Sequence, residues 1–450
     1  MRKRHWTSLA CAGCVVLASC GGSDSSSSDS TTTTTTTSTS TGSWTSGTCG
    51  YGTAAYLLSS GSLSTSDQTY SATTSDESAV CVTGTSTSLT LADPVISTSG
   101  VTSSTDDSSF YGLDAAVLDY NGGTIALTGG TITTTGQGGN GVFAYGTGSV
   151  SVSGTTLNIS GANGHALYAA GGGTLNVSDA TATTSGSAGS VIATDRGGGT
   201  VTVTGGTYSA SGQRSAGIYS TGSVTATNAT LSTTNAEVVV VEGSNLVTLT
   251  GSTLSAVSST SEHRGVFLYQ SYSGDATNSD CGTGACFVMT GGSFTYTDTT
   301  DSSSTATANC AAFAVANQVA HVTLTDVTVS NSCPTLLLSA LNSDWDYAGG
   351  TTTFEAYGET LTGDVVVDSV STAALTLNAS SAGASTLTGA INTADTGSSV
   401  TLTLDSTSKW IVTGTSYLTA LTDADSTHAN ITCQTSGCKV YVGGTAISVD

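Results

Sequence analysis

Residues 173–178 read Gly-Thr-Leu-Asn-Val-Ser, and residues 199–204 read Gly-Thr-Val-Thr-Val-Thr. In both hexapeptides apolar residues alternate with small polar ones, which is the pattern of a short strand with one buried face. Residues 148–153, Gly-Ser-Val-Ser-Val-Ser, follow the same pattern. Three such strands at nearly equal intervals indicate that the chain repeats one structural unit.

The apolar positions of the repeat form three columns. The first comprises Ile125, Val150, Leu175, Val201, Val224 and Val247. The second comprises Ile132, Leu157, Ala182, Tyr208, Leu231 and Leu254. The third comprises Leu118, Val142, Leu167, Ile192, Ile218, Val239 and Val266. Three short strands in about 25 residues leave no length for helices, so we predict an all-β fold, a parallel β-helix with one coil per repeat.

Composition and spacing extend this prediction to the rest of the chain. With 56 Gly, 2 Pro and 9% charged residues among 450, helix-rich and Pro-rich classes are excluded. Beyond residue 362 the apolar runs follow each other at shorter intervals. We therefore predict an N-terminal cap with first strands at 48–110, the β-helix at 111–362, and tighter C-terminal coils with a cap at 363–450.

The N-terminus has the pattern of an export signal. Arg2, Lys3 and Arg4 precede a mostly apolar stretch, and Leu17-Ala18-Ser19-Cys20 follows. This tetrapeptide resembles the lipobox of bacterial lipoproteins. The resemblance implies a signal peptide at 1–19, lipid on Cys20 as the membrane anchor, and, because Gly21 follows, sorting to the outer membrane of the cell envelope. An ordinary cleaved signal peptide is the alternative.

The segment after Cys20 is a predicted linker. From Ser23 to Gly47 it consists mainly of Ser and Thr. Such a composition cannot bury enough apolar surface to fold, so we predict that residues 20–47 form a disordered tether.

Cysteine usage agrees with export. Of 11 cysteines, Cys11 and Cys14 would leave with the signal peptide and Cys20 would carry lipid, so eight remain. Eight cysteines allow 105 connectivities, and metal binding is a competing interpretation. We favour disulfides, and expect no metal site and no cofactor. The pairings between sequence neighbours are Cys49 with Cys81, Cys281 with Cys286, Cys310 with Cys333, and Cys433 with Cys438.

Net charge limits the partners. The chain has 8 basic and 31 acidic residues, a net charge of −23, which makes nucleic acid an improbable ligand. The acidic residues are scattered and form no calcium-binding repeat, so we interpret them as solvated turn residues.

The Gly-initiated strands, three per coil, resemble the right-handed parallel β-helix proteins, a class that includes pectate lyases, polygalacturonases and autotransporter passenger adhesins. The resemblance covers most of the chain beyond residue 110 and implies a right-handed coil. It rests on repeat patterns and not on catalytic signatures, so it implies no particular activity.

Catalytic candidates are few. Asp195 with Arg196, and Arg214 one coil later, could stack on one edge of the coils, but a shared surface turn is the simpler interpretation. Gly164-His165-Ala166 is only a fragment of the motif that galacturonases use, and we interpret His165 as a turn or surface residue. Glu262-His263-Arg264 is a polar trio without a placed nucleophile. We predict that the chain is not an enzyme, with a polysaccharide lyase or glycoside hydrolase as the alternative.

A surface is the stronger functional candidate. If the third column points inward, the neighbouring aromatic residues point outward from the same strands. They are Phe143, Tyr145, Tyr168, Tyr219, Phe267 and Tyr269. We predict that these residues form an exposed aromatic stripe that binds a glycan or a protein partner. Reversal of the columns, or a covering loop, is the alternative.

Regular Thr ladders suggest ice binding as a minor alternative. The outward column beside the first apolar column is too mixed for a lattice-matched plane. It reads Ala126, Ser151, Asn176, Thr202, Thr225, Thr248. The sequence thus predicts a lipid-anchored, disulfide-stapled β-helix of the bacterial envelope, acting as an adhesin-like or structural protein. Its oligomeric state and its orientation in the envelope are left open.

Overall fold

The computed structural model describes residues 40–258, 263–274, 276–299, 310–341 and 348–449. The predicted signal peptide, Cys20, most of the tether and Glu262 lie outside the described residues. Within them the chain is all-β, and nearly every strand is parallel to its neighbours. Through most of the chain each strand pairs with the third strand before and after it, so that three consecutive strands make one coil and the coils stack.

The stacking produces three long sheets. Sheet A contains Thr45–Cys49, Gly52–Leu58, Glu77–Thr83, Val117–Tyr120, Val142–Tyr145, Leu167–Ala170, Ile192–Asp195, Ile218–Ser220, Val239–Glu242, Arg264–Tyr269, Ala311–Ala316, Thr335–Ser339 and Asp364–Val367. Sheet B contains Ser62–Ser66, Ser88–Ala92, Thr124–Thr128, Ser149–Ser153, Gly173–Ser178, Gly199–Thr204, Ser223–Thr227, Leu246–Thr250, Ala285–Thr290, Val319–Thr325, Thr351–Tyr357, Thr372–Asn378, Ser399–Leu404 and Ala420–Asp423. Sheet C contains Thr69–Ala72, Val95–Thr98, Thr131–Thr134, Thr156–Ile159, Thr181–Thr184, Thr207–Ala210, Thr230–Thr233, Thr253–Ser258, Ser293–Asp298 and Thr328–Asn331.

The strand registers confirm the predicted columns with one exception. The first column lies in sheet B, the second in sheet C and the third in sheet A, and their members pair directly from coil to coil. The exception is Leu118, which pairs with Phe143 on the outer side, while Val117 pairs with Val142 on the inner side. Because the side chains of a strand alternate in direction, this one-residue error reverses the face.

The inner side chains form one continuous apolar core along the stack. In the coils that contain Phe294, Phe313 and Phe354, aromatic rings fill the core. Phe313 lies 5.2 Å from Phe294 and 5.4 Å from Phe354, between ring centroids. At the turn from sheet C to the next strand of sheet A, glycine recurs in successive coils. A Cβ on Gly161 would lie 1.8 Å from the carbonyl oxygen of Gly136, so only glycine fits this close approach.

The N-terminal region is more ordered than predicted. Part of the predicted tether is folded: Thr45–Cys49 pairs antiparallel with Gly52–Leu58, and Trp44 packs edge-on against Tyr56 and Tyr70 at 5.8 and 5.5 Å. The apolar area of Trp44 gives this segment the burial that its Ser- and Thr-rich neighbours lack. Three-strand coils also begin before residue 111, since Gly52–Leu58 is already part of sheet A.

One helix, Thr105–Tyr111, interrupts the strands. The hydroxyl of Ser104 accepts a hydrogen bond from the backbone N–H of Asp107, and Gly112 ends the helix with a φ of 79°. These are typical helix-capping residues. Among the described residues, no helix is long and apolar enough to cross a membrane.

The C-terminal section has two further small sheets. Sheet D contains Thr360–Thr362, Thr386–Thr388, Lys409–Val412 and Ile431–Cys433. Sheet E contains Ser416–Leu418, Val440–Val442 and Thr445–Ile447. The last two strands of sheet E are antiparallel, like the first two of sheet A. Trp410 is fully buried, and its indole N–H donates to the carbonyl oxygen of Gly389 at 2.9 Å.

All four sequence-neighbour disulfides are present. The first joins two strands of the N-terminal coils, and two others close short loops of five residues' separation. The remaining one joins Cys310 to Cys333 beside an insertion. The bonded pairs are Cys49–Cys81, Cys281–Cys286, Cys310–Cys333 and Cys433–Cys438.

Candidate functional site

The predicted aromatic stripe lies on the outer side of sheet A, but it is not an exposed surface. Phe143 pairs with Tyr168, and both belong to an apolar cluster separate from the inner core. Their side chains are 0% exposed, and Phe267 is 4% exposed. The prediction of exposure is therefore wrong for these three residues. The other members, Tyr145, Tyr219 and Tyr269, are half-buried.

The helix Thr105–Tyr111 covers the first part of this face. Asn140 lies just before the sheet A strand Val142–Tyr145, and its amide donates to the carbonyl oxygen of Ser108 at 3.2 Å. Tyr111 packs edge-on against Tyr145 at 5.6 Å between ring centroids. The helix thus supplies a second layer that buries the aromatic rings beneath it.

Beneath this cover lies a buried polar group of residues. The Tyr168 hydroxyl donates to Asp195 Oδ2 at 2.9 Å, and burial raises the pKa of this tyrosine well above its usual value. His165 lies beside Tyr168, 4.5 Å between ring centroids. Its Nδ1 accepts a hydrogen bond from the backbone N–H of Ser190 at 3.0 Å, and burial lowers its pKa to about 4. The interpretation of His165 as a surface residue is therefore wrong, and at neutral pH it is an uncharged structural residue.

The two arginines that the sequence places one coil apart are not brought together. Arg196 follows the C-terminal end of the strand Ile192–Asp195. Arg214 precedes the N-terminal end of the neighbouring parallel strand, Ile218–Ser220, so the two arginines lie at opposite strand ends. The Arg196 guanidinium lies 4.1 Å above the ring of Phe110 on the covering helix. Arg214 lies in a turn with a φ of 56°. The pair therefore does not form a site.

Farther along the same face, two tyrosines converge on one carboxylate. Glu242 is 3% exposed, and its Oε2 accepts hydrogen bonds from the Tyr219 hydroxyl and, at 2.9 Å, from the Tyr269 hydroxyl. Burial raises the pKa of both tyrosines well above the usual value, so both hydroxyls remain protonated donors. Glu242 is thereby held in place by neighbours from the preceding and the following coil.

A second acid on this face, Glu237, pairs with Arg264 of the predicted polar trio Glu262-His263-Arg264. Arg264 Nη2 lies 2.7 Å from Glu237 Oε1, and its guanidinium lies 3.9 Å above the Phe267 ring. His263 Nδ1 contacts a different carboxylate, Asp298, at 3.0 Å. The described members of the trio thus belong to two separate structural contacts.

The positions of Glu237 and Glu242 were missed by sequence reasoning, although a signal was present. In the predicted third column, Val239 pairs with Val266. The same register places Glu237 beside Arg264 and Glu242 beside Tyr269. Extending this register by two residues toward the N-terminus and by three toward the C-terminus would have found both pairs.

One group of potential metal ligands occurs in the described residues. The ligand atoms of Asp298, Cys310 and Cys333 lie within 4.8 Å of one another. The two sulfurs are joined in a disulfide, so they are not thiolates, the form that binds metals.

The outer side of sheet C is different in chemistry and in exposure. Two columns of hydroxyl and amide side chains run across six consecutive coils, and most of them are exposed. One column is Thr131, Thr156, Thr181, Thr207, Thr230 and Thr253. The other is Thr133, Asn158, Thr183, Ser209, Ser232 and Ser255. The outward column predicted from the sequence lies on sheet B, and no prediction included this surface, which we call the hydroxyl face.

The hydroxyl face is nearly regular. Neighbouring coils place equivalent side chains about 4.8 Å apart, and the two columns are about 6.7 Å apart along each strand. No helix or insertion among the described residues interrupts the strands from Thr131 to Ser258 in this sheet. The arrangement can offer a repeated series of hydrogen-bond donors and acceptors to one extended ligand.

Comparisons of the chain with protein-family models, with curated proteins and with solved structures give no match.

Proposed function

We propose that this protein is a lipid-anchored β-helix of the bacterial cell envelope that binds a partner along its outer face, as an adhesin does, and that it is not an enzyme. The observation that carries this proposal is the hydroxyl face, a regular and exposed polar surface that spans six coils. A glycan fits it best, because a polysaccharide also presents hydroxyls at repeated intervals. The experiments below also distinguish a glycan ligand from a protein ligand and from ice.

The fold and the anchor belong to the same proposal. We propose a right-handed coil, as in the proteins that the chain resembles, because crossovers between parallel strands of one sheet are right-handed in about 98% of cases. The lipobox-like sequence before Cys20 supports lipid attachment at that residue and sorting to the outer membrane. Radiolabelled palmitate should label the full-length protein and not Cys20→Ser; an unlabelled wild type would contradict the anchor. Protease treatment of intact cells then tests whether the coils face outward.

The binding surface is tested with the full-length protein in detergent on a glycan array. The variant replaces Thr181, Thr207 and Thr230 of the hydroxyl face with Val, which removes the hydroxyls and keeps the side-chain shape. The matched control places Val at Thr202, Thr225 and Thr248 on the outer side of sheet B, in three successive coils. We expect about tenfold or greater loss of retention for the first triple variant only.

Equal retention of both triple variants would contradict the role of the hydroxyl face. Absence of retention on every glycan would contradict a glycan ligand and leave a protein ligand, tested by adhesion to protein-coated surfaces. A thermal hysteresis assay tests whether the protein binds ice.

A carbohydrate-active enzyme is the second candidate, and one observation favours it. Asp195 and Glu242 occupy the same outward position two coils apart, with Thr221 between them. Two strand spacings correspond to about 9.6 Å, close to the carboxylate separation of inverting glycosidases, about 6.5–9.5 Å. Glu242, however, is buried behind its tyrosines. Release of reducing ends or unsaturated products from acidic polysaccharides, abolished in Glu242→Gln, would overturn the non-enzymatic proposal.

A further inference from the structure

An insertion between sheet A and sheet B is folded back onto earlier coils. In the preceding coil only three residues, 243–245, connect the two sheets, whereas here the connection runs from 270 to 284, of which 270–274 and 276–284 are described. The backbone N–H of Cys281 donates to the carbonyl oxygen of Ser244 at 3.0 Å, and Asn278 Nδ2 donates to that of Thr221 at 3.4 Å. The Cys281–Cys286 disulfide closes the base of the loop. The loop is therefore held in one position over the turns of earlier coils.

An open polar cavity of about 480 Å³ lies between this loop and the turns, and most of its lining residues are exposed. Small-molecule sites commonly have volumes of about 300–1,000 Å³, so the cavity is large enough for one sugar residue. Its lining residues come from the loop itself and from two earlier turns. These turns belong to the third and the fourth coil before the loop. The lining residues are Gly172, Gly197, Gly199, Thr200, Thr277, Asn278, Ser279 and Asp280.

Glycine makes the close approach of the loop feasible. Gly198 has a φ of 64°, and a Cβ there would lie 1.4 Å from Asn278 Nδ2. Any larger residue would displace the Asn278 side chain from the turn. The glycine-rich turns of two successive coils thus line the cavity without bulky side chains.

The lining is suited to a neutral ligand that carries hydroxyls. It offers three side-chain hydroxyls, one amide and one carboxylate, and it includes no basic side chain. Arg196, next to the turn, has its guanidinium over the Phe110 ring. An anionic ligand would therefore meet the Asp280 carboxylate without a compensating cation. Partial burial raises the pKa of Asp280, although the residue as a whole is exposed.

We propose that this cavity, formed by loop residues 277–280 on the glycine turns, binds one neutral hexose unit of a glycan. The Asp280 carboxylate accepts hydrogen bonds from sugar hydroxyls, and Asn278 with Thr200 supplies further donors and acceptors. The inference rests on the proposed glycan-binding function and assigns it a terminal-sugar site distinct from the hydroxyl face.

The test is calorimetric titration of the full-length protein in detergent with glucose, galactose, mannose and N-acetylglucosamine. We expect saturable binding of at least one sugar, weakened about tenfold or more in Asp280→Asn and in Asn278→Ala. The control is Asp395→Asn, which makes the same charge change in an exposed turn far from the loop in sequence. Unchanged thermal unfolding of each variant shows that the loop substitutions act locally.

The outcomes separate the two proposals. If the array retains the protein and the loop variants bind every sugar as the wild type does, the cavity assignment is overturned and the glycan-binding function stands. If neither the array nor the titration detects binding, the glycan-binding function itself fails. Titration with calcium chloride alone is the last arm. If calcium binds the wild type but not Asp280→Asn, and no sugar binds, the assignment is overturned in favour of a cation site.

Discussion

The outer sides of sheet A and sheet C are built on the same coils, yet only one of them is available to a ligand. On sheet A, Phe143 and Tyr168 are fully buried in a second apolar layer. On sheet C, Thr181 and Thr207 stand exposed at equivalent outward positions. Alternation along a strand therefore specifies the side to which a residue points, while its exposure depends on what packs over that side.

Side-chain size explains the difference. A buried aromatic side chain removes about 150–250 Å² from water, worth several kcal/mol at about 25 cal/mol per Å². A row of aromatic residues thus stabilises any segment that packs over it, such as the helix Thr105–Tyr111. Thr has little apolar area to gain from such a cover, and its hydroxyl is already hydrated. The hydroxyl face consequently remains open.

The largest expected effect is on the covered face. Tyr168→Ala should lower the free energy of unfolding by about 3–5 kcal/mol, because it leaves a cavity under the helix and removes the donor to Asp195. Thermal and denaturant unfolding measure the change. A loss below about 1 kcal/mol would mean that the layer over sheet A is not a true core.

The next effect depends on pH. The pKa of His165 is about 4 in the folded chain, against about 6.5 when unfolded. Between these values the unfolded state binds the proton and the folded state does not, so His165 should cost about 3 kcal/mol of stability as pH falls from 7 to 4. Asp119, with a pKa raised to about 6, acts in the opposite direction over part of this range.

His165→Asn isolates the contribution of the histidine from that of the carboxyl groups. Asn140 has the equivalent position one coil earlier, where its Oδ1 accepts the backbone N–H of His165, so Asn can replace the Nδ1 acceptor. As pH falls, the free energy of unfolding of the wild type should decrease more than that of the variant. Parallel pH profiles would show that the His165 ring reaches solvent.

A smaller effect is expected at Glu242. Tyr269→Phe removes one of the two hydroxyl donors to Glu242 and keeps the ring stacked on Phe267, at 4.7 Å between centroids. We expect a loss of about 1.5–3 kcal/mol in the free energy of unfolding. Tyr441→Phe, at a half-buried position stacked on Tyr417, is the control for loss of a hydroxyl. Equal losses at both positions would contradict a specific role of the Glu242 contact.

The smallest effect is expected on the hydroxyl face. Thr181→Ala should change the free energy of unfolding by less than about 0.5 kcal/mol, since the side chain is exposed and covers no apolar layer. A loss comparable to that of Tyr168→Ala would remove the distinction between the two faces.

The sequence allowed the inner columns and the four disulfides to be predicted, because a period near 25 residues places equivalent residues in contact and close cysteine pairs are geometrically favourable. It did not reveal the cover on sheet A. Helix Thr105–Tyr111 has seven residues, too few to show a helical period, and its contacts lie more than 25 residues away in the chain. The Leu118 error has a similar origin: Val117 and Leu118 are both apolar, so alternation could not decide between them.

The antiparallel strands near the two ends of the chain have a consequence for contacts between copies of the protein. A stack of parallel strands ends in unpaired backbone groups that match the first coil of another copy, which is how filaments grow without limit. At one end Thr45–Cys49 runs against the direction of the coils, and at the other Thr445–Ile447 does the same. At these two edges, one of sheet A and one of sheet E, a second copy therefore meets a strand of opposite polarity, which disfavours end-to-end stacking through these sheets.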